Sequence, residues 1–165
     1  MEISILIPTM ASEKSLPYLT KCVELIRKNS KEHHRILIMV NGEDNFNPLT
    51  NLVKDFGIEV FHIQQPGQCG AVNALAKEVK TEWMLVTDDD SMFMPDWERL
   101  FNNKDNFDVL CMNSLESGKV GSAPPYLVEN CGYDTTEFDE EKFNEFCAKN
   151  IRTTEALAIG ANATP

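Results

Sequence analysis

Basic residues are in short supply: 15 Lys and Arg stand against 26 Asp and Glu, a formal net charge of −11. That balance argues against a broad nucleic-acid surface or a patch for anionic membranes. Any phosphate bound by such a chain needs local help from backbone N–H groups or a metal. Cysteine lacks pattern. Cys22, Cys69, Cys111, Cys131 and Cys147 are odd in number and have no paired C-x-x-C spacing, so neither a zinc site nor a disulfide framework is expected. Buried thiols in a reducing cytoplasm are the simplest account, and a cytoplasmic location is the expectation. Long hydrophobic runs are missing as well: no basic region precedes Ile3–Pro8, which is too short for a signal peptide or a membrane span. Repeats, low-complexity tracts and Gly/Ser linkers are also absent, so nothing marks a second domain.

What is present suffices for one core. The 165 residues are 42% apolar, and a domain of this size buries roughly 70% of its unfolded surface. The most informative run is Thr87-Asp88-Asp89-Asp90-Ser91, directly behind the apolar stretch Trp83-Met84-Leu85-Val86. It puts clustered carboxylates where a buried strand should emerge. Two like charges about 4 Å apart repel by about 1 kcal/mol in water and about 4 kcal/mol at an effective dielectric near 20, so the cluster asks for compensation. A divalent cation supplies it. Carboxylate oxygens with remaining positions filled by water or phosphate are habitual ligands of Mg²⁺ and Mn²⁺, which points to a phosphate-bearing substrate. The alternative is a solvated acidic turn on an acidic protein.

Ile3–Ile7 reads as a strand buried on both faces and closed by Pro8. Leu16, Leu19, Val23 and Ile26 follow at helical spacing. Arg35–Val40 forms a second strand ended by the turn signal Asn41-Gly42. Leu49, Leu52, Val53 and Phe56 repeat the helical period, with Gly57 placed for a left-handed helix end before the strand Ile58–Ile63. Ala71, Val72, Leu75, Ala76 and Val79 share a helix face entered through Gln65–Gly70, and Trp83–Thr87 is the next strand. Such alternation predicts an α/β fold: a mainly parallel central sheet with helices on both faces and right-handed crossovers. In open sheets of this kind ligands bind outside the carboxyl ends of the strands, so Pro8-Thr9, Asn41-Gly42 and Asp88–Asp90 should line one edge. Further on, Asp96–Phe101 reads as a short helix, Asp108–Met112 as a strand, Gly118–Pro125 as a loop and Glu140–Lys149 as a helix with Phe143, Phe146 and Cys147 inward.

Ile3-Ser-Ile-Leu-Ile-Pro-Thr9, the strand ending at Asn41-Gly42, Gly70-Ala-Val-Asn-Ala74 and Trp83-Met-Leu-Val-Thr-Asp-Asp-Asp90 resemble, in order and spacing, the successive motifs of family 2 glycosyltransferases with the Rossmann-like GT-A fold. The resemblance covers about residues 1–100 and returns at Leu157–Asn162. It implies one GT-A-like domain over 1–165, with a nucleotide-sugar donor-binding half at 1–100 and a partial acceptor-side half at 101–165. The chain stops just after a strand-like run, and the expectation is a C-terminal truncation.

The resemblance implies an inverting, metal-dependent transfer of a sugar from a nucleotide-diphosphate sugar, UDP-sugar favoured, to a glycan, lipid or protein acceptor. Pro8 and Thr9 would lie beside the base. Asn41 stands where the family usually has a carboxylate that recognises the base; an amide still donates and accepts, and Asn41 serves equally as a turn residue. Asn73 would lie at the donor site or simply hydrogen-bond at the sheet edge, and Val72 replaces a basic residue common in that motif. Asp88 and Asp90 match the D-x-D motif: Asp88 or Asp89 would hold the ribose, and Asp90, with Asp88, would coordinate Mn²⁺ or Mg²⁺. The family's general base lies on a loop beyond the segment matched by Gly160–Asn162. Asp134, Glu137, Asp139, Glu140 and Glu141 read instead as a solvated loop and helix start.

His33-His34 reads as an exposed polar connection, His62 as a sheet residue or a donor-site contact, and Trp83 and Trp97 as packing residues. Three rival functions stand beside transfer, one of them an acidic protein-interaction domain with no small ligand. A sugar-phosphate nucleotidyltransferase would need a Gly-rich, basic loop after the first strand, unlike Pro8–Ser12. A non-catalytic nucleotide- and metal-binding fragment or relic of the enzyme would keep affinity without turnover.

Overall fold

The computed structural model describes residues 1–42, 49–64, 67–99, 101, 115–116, 127–132 and 134–150. Glu43, Gln65, Pro66, Cys111, the strand expected at 108–112, the loop at 118–125 and the motif at 157–162 lie outside the described residues. The chain forms two compact units, Met1–Pro95 and Asp96–Pro165.

In the first unit β1 (Ser4–Thr9), α1 (Leu16–Asn29), β2 (Arg35–Asn41), α2 (Thr50–Phe56), β3 (Glu59–Ile63), α3 (Gln68–Ala76) and β4 (Met84–Val86) alternate as the periodicities require. The four strands are all parallel, in the order β3-β2-β1-β4. Side chains alternate across a strand, and both faces here are apolar. Leu6, Leu37 and Met39 pack with Ala71 and Leu75 of α3, joined by Phe61, Ile63 and Val79. Ile5, Ile7, Ile36 and Ile38, in register with one another, are buried on the opposite face. That face is left to α1 and α2, with α1 burying Leu19, Cys22, Val23, Leu25 and Ile26. Arg27 ties the helix ends together: its guanidinium donates to the carbonyls of His34 at 2.7 Å and Phe56 at 3.0 Å. Gly57 ends α2 in the left-handed region at φ 61°, its N–H donating to Val53 O.

Pro8 does not close β1, which runs on to Thr9 beside Val40. The reason lies in which neighbour each residue faces. Ser4 N–H donates to Trp83 O, and Leu6 O accepts from Thr87 N–H, whereas Ile3 O accepts from Arg35 N–H. Even-numbered residues of β1 therefore bond toward β4 and odd-numbered ones toward β2. Pro8, without an N–H, falls on the β4 side, one step past the last pair, Leu6 with Val86. It ends one ladder and leaves the other intact.

Three further expectations are corrected. β4 is not a buried strand: Met84 is 48% and Val86 43% exposed. They share the α3 face of the sheet, where α3 packs over β1 and β2. His34 is buried, not exposed, because its Nδ1 accepts the Ile3 N–H at 3.3 Å; His33 remains exposed. Cys69 is exposed on the first turn of α3, while Cys22 and Cys131 are buried and Cys147 is half-buried.

In the second unit the segment expected as a short helix forms a short 3₁₀ helix at 97–99, with Trp97 buried and meeting Phe101 edge-on at 6.2 Å. β5 (Leu115–Glu116) pairs in parallel with β6 (Leu127–Val128). α4 (Glu140–Asn150) buries Phe143, which meets Phe138 at 5.5 Å. Phe146 is half-buried. Asp139 caps this helix, its carboxylate accepting the Lys142 N–H at 2.9 Å. Among the described residues no helix is long and apolar enough to cross a membrane.

Candidate active site

The strands are parallel, so the segments after β1, β2 and β4 leave the sheet at one edge, and hydrogen bonds join them there. Thr9, the last residue of β1, is buried; its hydroxyl donates to Asp89 Oδ2 at 2.5 Å and accepts the Ala11 N–H at 3.0 Å. Ala11 is held at φ 47°, a costly conformation for a residue with a Cβ. Asn41, the last residue of β2, accepts the Gly67 N–H on its Oδ1 at 3.1 Å. Gly67 precedes α3, and Gln68, the first residue of that helix, donates from Nε2 to Asp88 Oδ1 at 2.5 Å. The side-chain bonds from Thr9 and Gln68 thus take hold of β4's exit just where Pro8 has ended the backbone ladder.

The acidic run is also held from below. Cys22 of α1 places its thiol 3.9 Å from the Asp88 carbonyl, and Asn29 of the same helix donates to Phe93 O at 2.6 Å. The chain from Asp88 to Phe93 is thereby fixed to α1 at two points. Burial, and then the charges of Asp89, Asp90 and Asp88, push the Cys22 thiol far above its ordinary range, so it stays protonated. Asp89 is half-buried and its carboxyl is raised above the usual range, first by burial and then, against the bond from Thr9, by Asp90 and Asp88. Asp88 and Asp90 are exposed.

Negative charge is thus concentrated at this edge. No group of three or more His, Cys, Asp or Glu side chains able to hold a metal occurs among the described residues. Mg²⁺ and Mn²⁺ sites that act on phosphates need less than that, because one or two carboxylates plus substrate phosphates and water complete the shell. Asp88 and Asp90 fit that donor set: both are hard oxygen ligands, both are exposed, and Asp88 Oδ2 has no hydrogen-bond partner among the described residues. α3 adds the complement. The N–H groups of its first turn have no intrahelical acceptor, the positive end of its dipole lies there, and the turn is exposed beside Asp88.

Of the residues singled out in the sequence, Thr9, Asp88 and Asp89 are joined through these bonds and through chain continuity, with Asp90 adjoining. Asn41 is joined to them through Gly67 and Gln68. Pro8 is buried in β1. Asn73 is exposed on α3. His62 bonds the Gly42 carbonyl through Nε2 at 2.9 Å, the role of a sheet residue. Gln68 escaped sequence reasoning, which took Gln65–Gly70 only as a helix entrance; a long amide opening a helix on the strand-end side was the available signal. Cys22 and Asn29 gave no such signal, since both sit in an ordinary amphipathic helix.

A family model described as glycosyl transferase family 2 matches residues 4–160. No curated protein matches the sequence. Among solved structures, the chain is similar to residues 1–349 of S. aureus TarS, with a TM-score of 0.57 and 17% identity over 75% of this chain and 38% of that one. A second S. aureus TarS structure aligns with a TM-score of 0.53 and 12% identity, over 74% of this chain and 23% of that one. The chain therefore spans well under half the length of the structures it resembles.

Proposed function

The chain belongs to glycosyl transferase family 2, and on that premise we propose that its first unit binds a nucleotide-diphosphate sugar, UDP-sugar foremost, for inverting transfer to a glycan, lipid or protein acceptor. The observation that carries this reading is the run Asp88–Asp90, held by Thr9 and Gln68 at the carboxyl edge of a parallel sheet beside the first turn of α3.

Each residue has a part suited to its surroundings. Asp90 and Asp88 hold a divalent cation, Mn²⁺ or Mg²⁺. When bound, that ion stabilises, as a Lewis acid, the charge gathering on the departing nucleoside diphosphate. Asp89, or Asp88 with it, accepts from the ribose hydroxyls, and Thr9 fixes the Asp89 carboxylate. The free N–H groups opening α3 face the phosphates in a chain with few basic side chains. Asn41 spends its oxygen on Gly67, so what it offers a base is N–H donors, which suit a pyrimidine carbonyl. Pro8 borders the base subsite, and Asn73 contacts the donor from α3. The acidic residues of the second unit are not nominated as the general base: Asp134 accepts from Thr136 and Glu137, and Asp139 caps α4.

Calorimetric titration with UDP, with and without Mn²⁺, and with GDP and CDP as base controls, tests the reading. Metal-dependent binding of UDP is expected. Asp90→Asn should abolish the metal-dependent part of that affinity and leave the fold intact, while Asp139→Asn, which keeps a helix cap, should change neither. Equal metal dependence in wild type and Asp90→Asn would remove the metal assignment.

A further inference from the structure

We propose that Gln68 is a positioning residue that sets the Asp88 carboxylate for the cation, an inference resting on the reading of the site above. Two observations leave the Asp88 side chain as the part still to be fixed. Its carbonyl already faces the Cys22 thiol at 3.9 Å and accepts the Ser91 N–H at 3.4 Å, so the backbone is anchored without help from the carboxylate. The carboxylate itself is exposed, and an exposed Asp side chain turns freely unless something holds it.

Gln68 Nε2 holds it, bonding Oδ1 at 2.5 Å and leaving Oδ2 without a hydrogen-bond partner among the described residues. The amide starts from a fixed base. Gly67, the preceding residue, donates its N–H to Asn41 and accepts the Ala71 N–H on its carbonyl, both at 3.1 Å. The clasp therefore runs from the end of β2 through the start of α3 to the exit of β4.

Chemistry explains why an amide suits this place. A lysine or arginine there would orient Asp88 but also neutralise it, and would compete with a divalent ion for the same oxygens. An amide donates a hydrogen bond without adding charge, so it orients the ligand and preserves its attraction for the cation. Partners of this kind behind a metal ligand matter: their loss typically lowers metal affinity about ten- to a hundredfold.

The test uses the full chain and two substitutions of similar size that remove the donor without adding charge, Gln68→Met and Gln68→Leu. Mn²⁺ binding is followed through the electron paramagnetic resonance of the free ion, alone and with UDP; metal-free UDP affinity and the thermal midpoint are measured in parallel. Both variants should weaken Mn²⁺ binding in the presence of UDP by about tenfold or more, well beyond any fall in metal-free UDP affinity, with the midpoint unchanged. Unchanged Mn²⁺ affinity in the variants, beside clear Mn²⁺ dependence in wild type, would overturn the role of Gln68 alone. A fall in metal-free affinity and midpoint equal to the fall in Mn²⁺ binding would overturn it too, by assigning Gln68 to the support of α3. Wild type without any Mn²⁺-dependent UDP binding would instead overturn the reading of the site itself.

Discussion

Asp89 lies half-buried between two exposed carboxylates, with the Thr9 hydroxyl on one of its oxygens. Burial raises its carboxyl above the ordinary range and its two neighbours add to the rise, while Thr9 opposes it. A carboxyl raised on folding binds its proton more tightly in the folded chain than in the unfolded one. The stability it contributes is fully present below the ordinary carboxylate value and is lost as pH rises through the raised value. Metal-free protein should therefore gain stability from this group as pH falls toward the ordinary carboxylate range, and Asp89→Asn should remove that component. Thr9→Val withdraws the side-chain bond that favours the charged form, leaving only a backbone bond with that effect, and should move the Asp89 titration higher still, as followed by NMR. Should Thr9→Val leave that titration in place or lower it, the hydroxyl would not be supporting the charge. Cys22, beneath the same run, has the opposite character: a thiol kept protonated by burial and by its anionic neighbours acts as packing with a weak donor, and is a poor nucleophile.

At the level of elements, the left-handed end of α2 gives a clean test. Gly57 stands at φ 61°, and a Cβ there would meet only His33 Nε2, at 4.0 Å. Gly57→Ala should thus cost about 1 kcal/mol through backbone strain alone, read as a shift in denaturant midpoint at constant slope; a loss several times larger would mean that packing is involved. Gly57 was legible because a helix period, a glycine and a strand follow one another in the sequence. The alternation of β1 to β4 with their helices was legible for the same reason, and so was the convergence of Thr9, Asn41 and Asp88–Asp90 on one edge. Other features depend on partners distant in sequence. His34 is buried through a bond to Ile3, and no local pattern announces which chain a histidine will meet. β4 looks like an inner strand from its residues, yet its exposed face follows from where α3 sits. Pro8 was readable as an interruption, but which of two ladders it interrupts is decided by register. Gln68 was hidden because nothing local pairs α3's first residue with an aspartate twenty positions on.

For the molecule as a whole, the formal charge of −11 works against compactness through self-repulsion. Raising ionic strength from about 0.01 M to about 0.15 M shortens the screening length from roughly 30 Å to roughly 8 Å. The thermal midpoint of the metal-free protein should rise over that interval, and a midpoint that falls would show that attractive pairs such as Arg35 with Glu59 outweigh the repulsion. The same site has another consequence for the first unit. The bond from Thr9 to Asp89 joins residues eighty apart in sequence, across three intervening crossovers. A site built on such long-range contacts depends on the folded sheet. Its occupant stabilises the folded state by mass action, and since the bond connects the first strand to the last of the sheet, that stabilisation acts on the cooperative unfolding of all four strands: the site behaves as a latch whose closing any bound donor would lock.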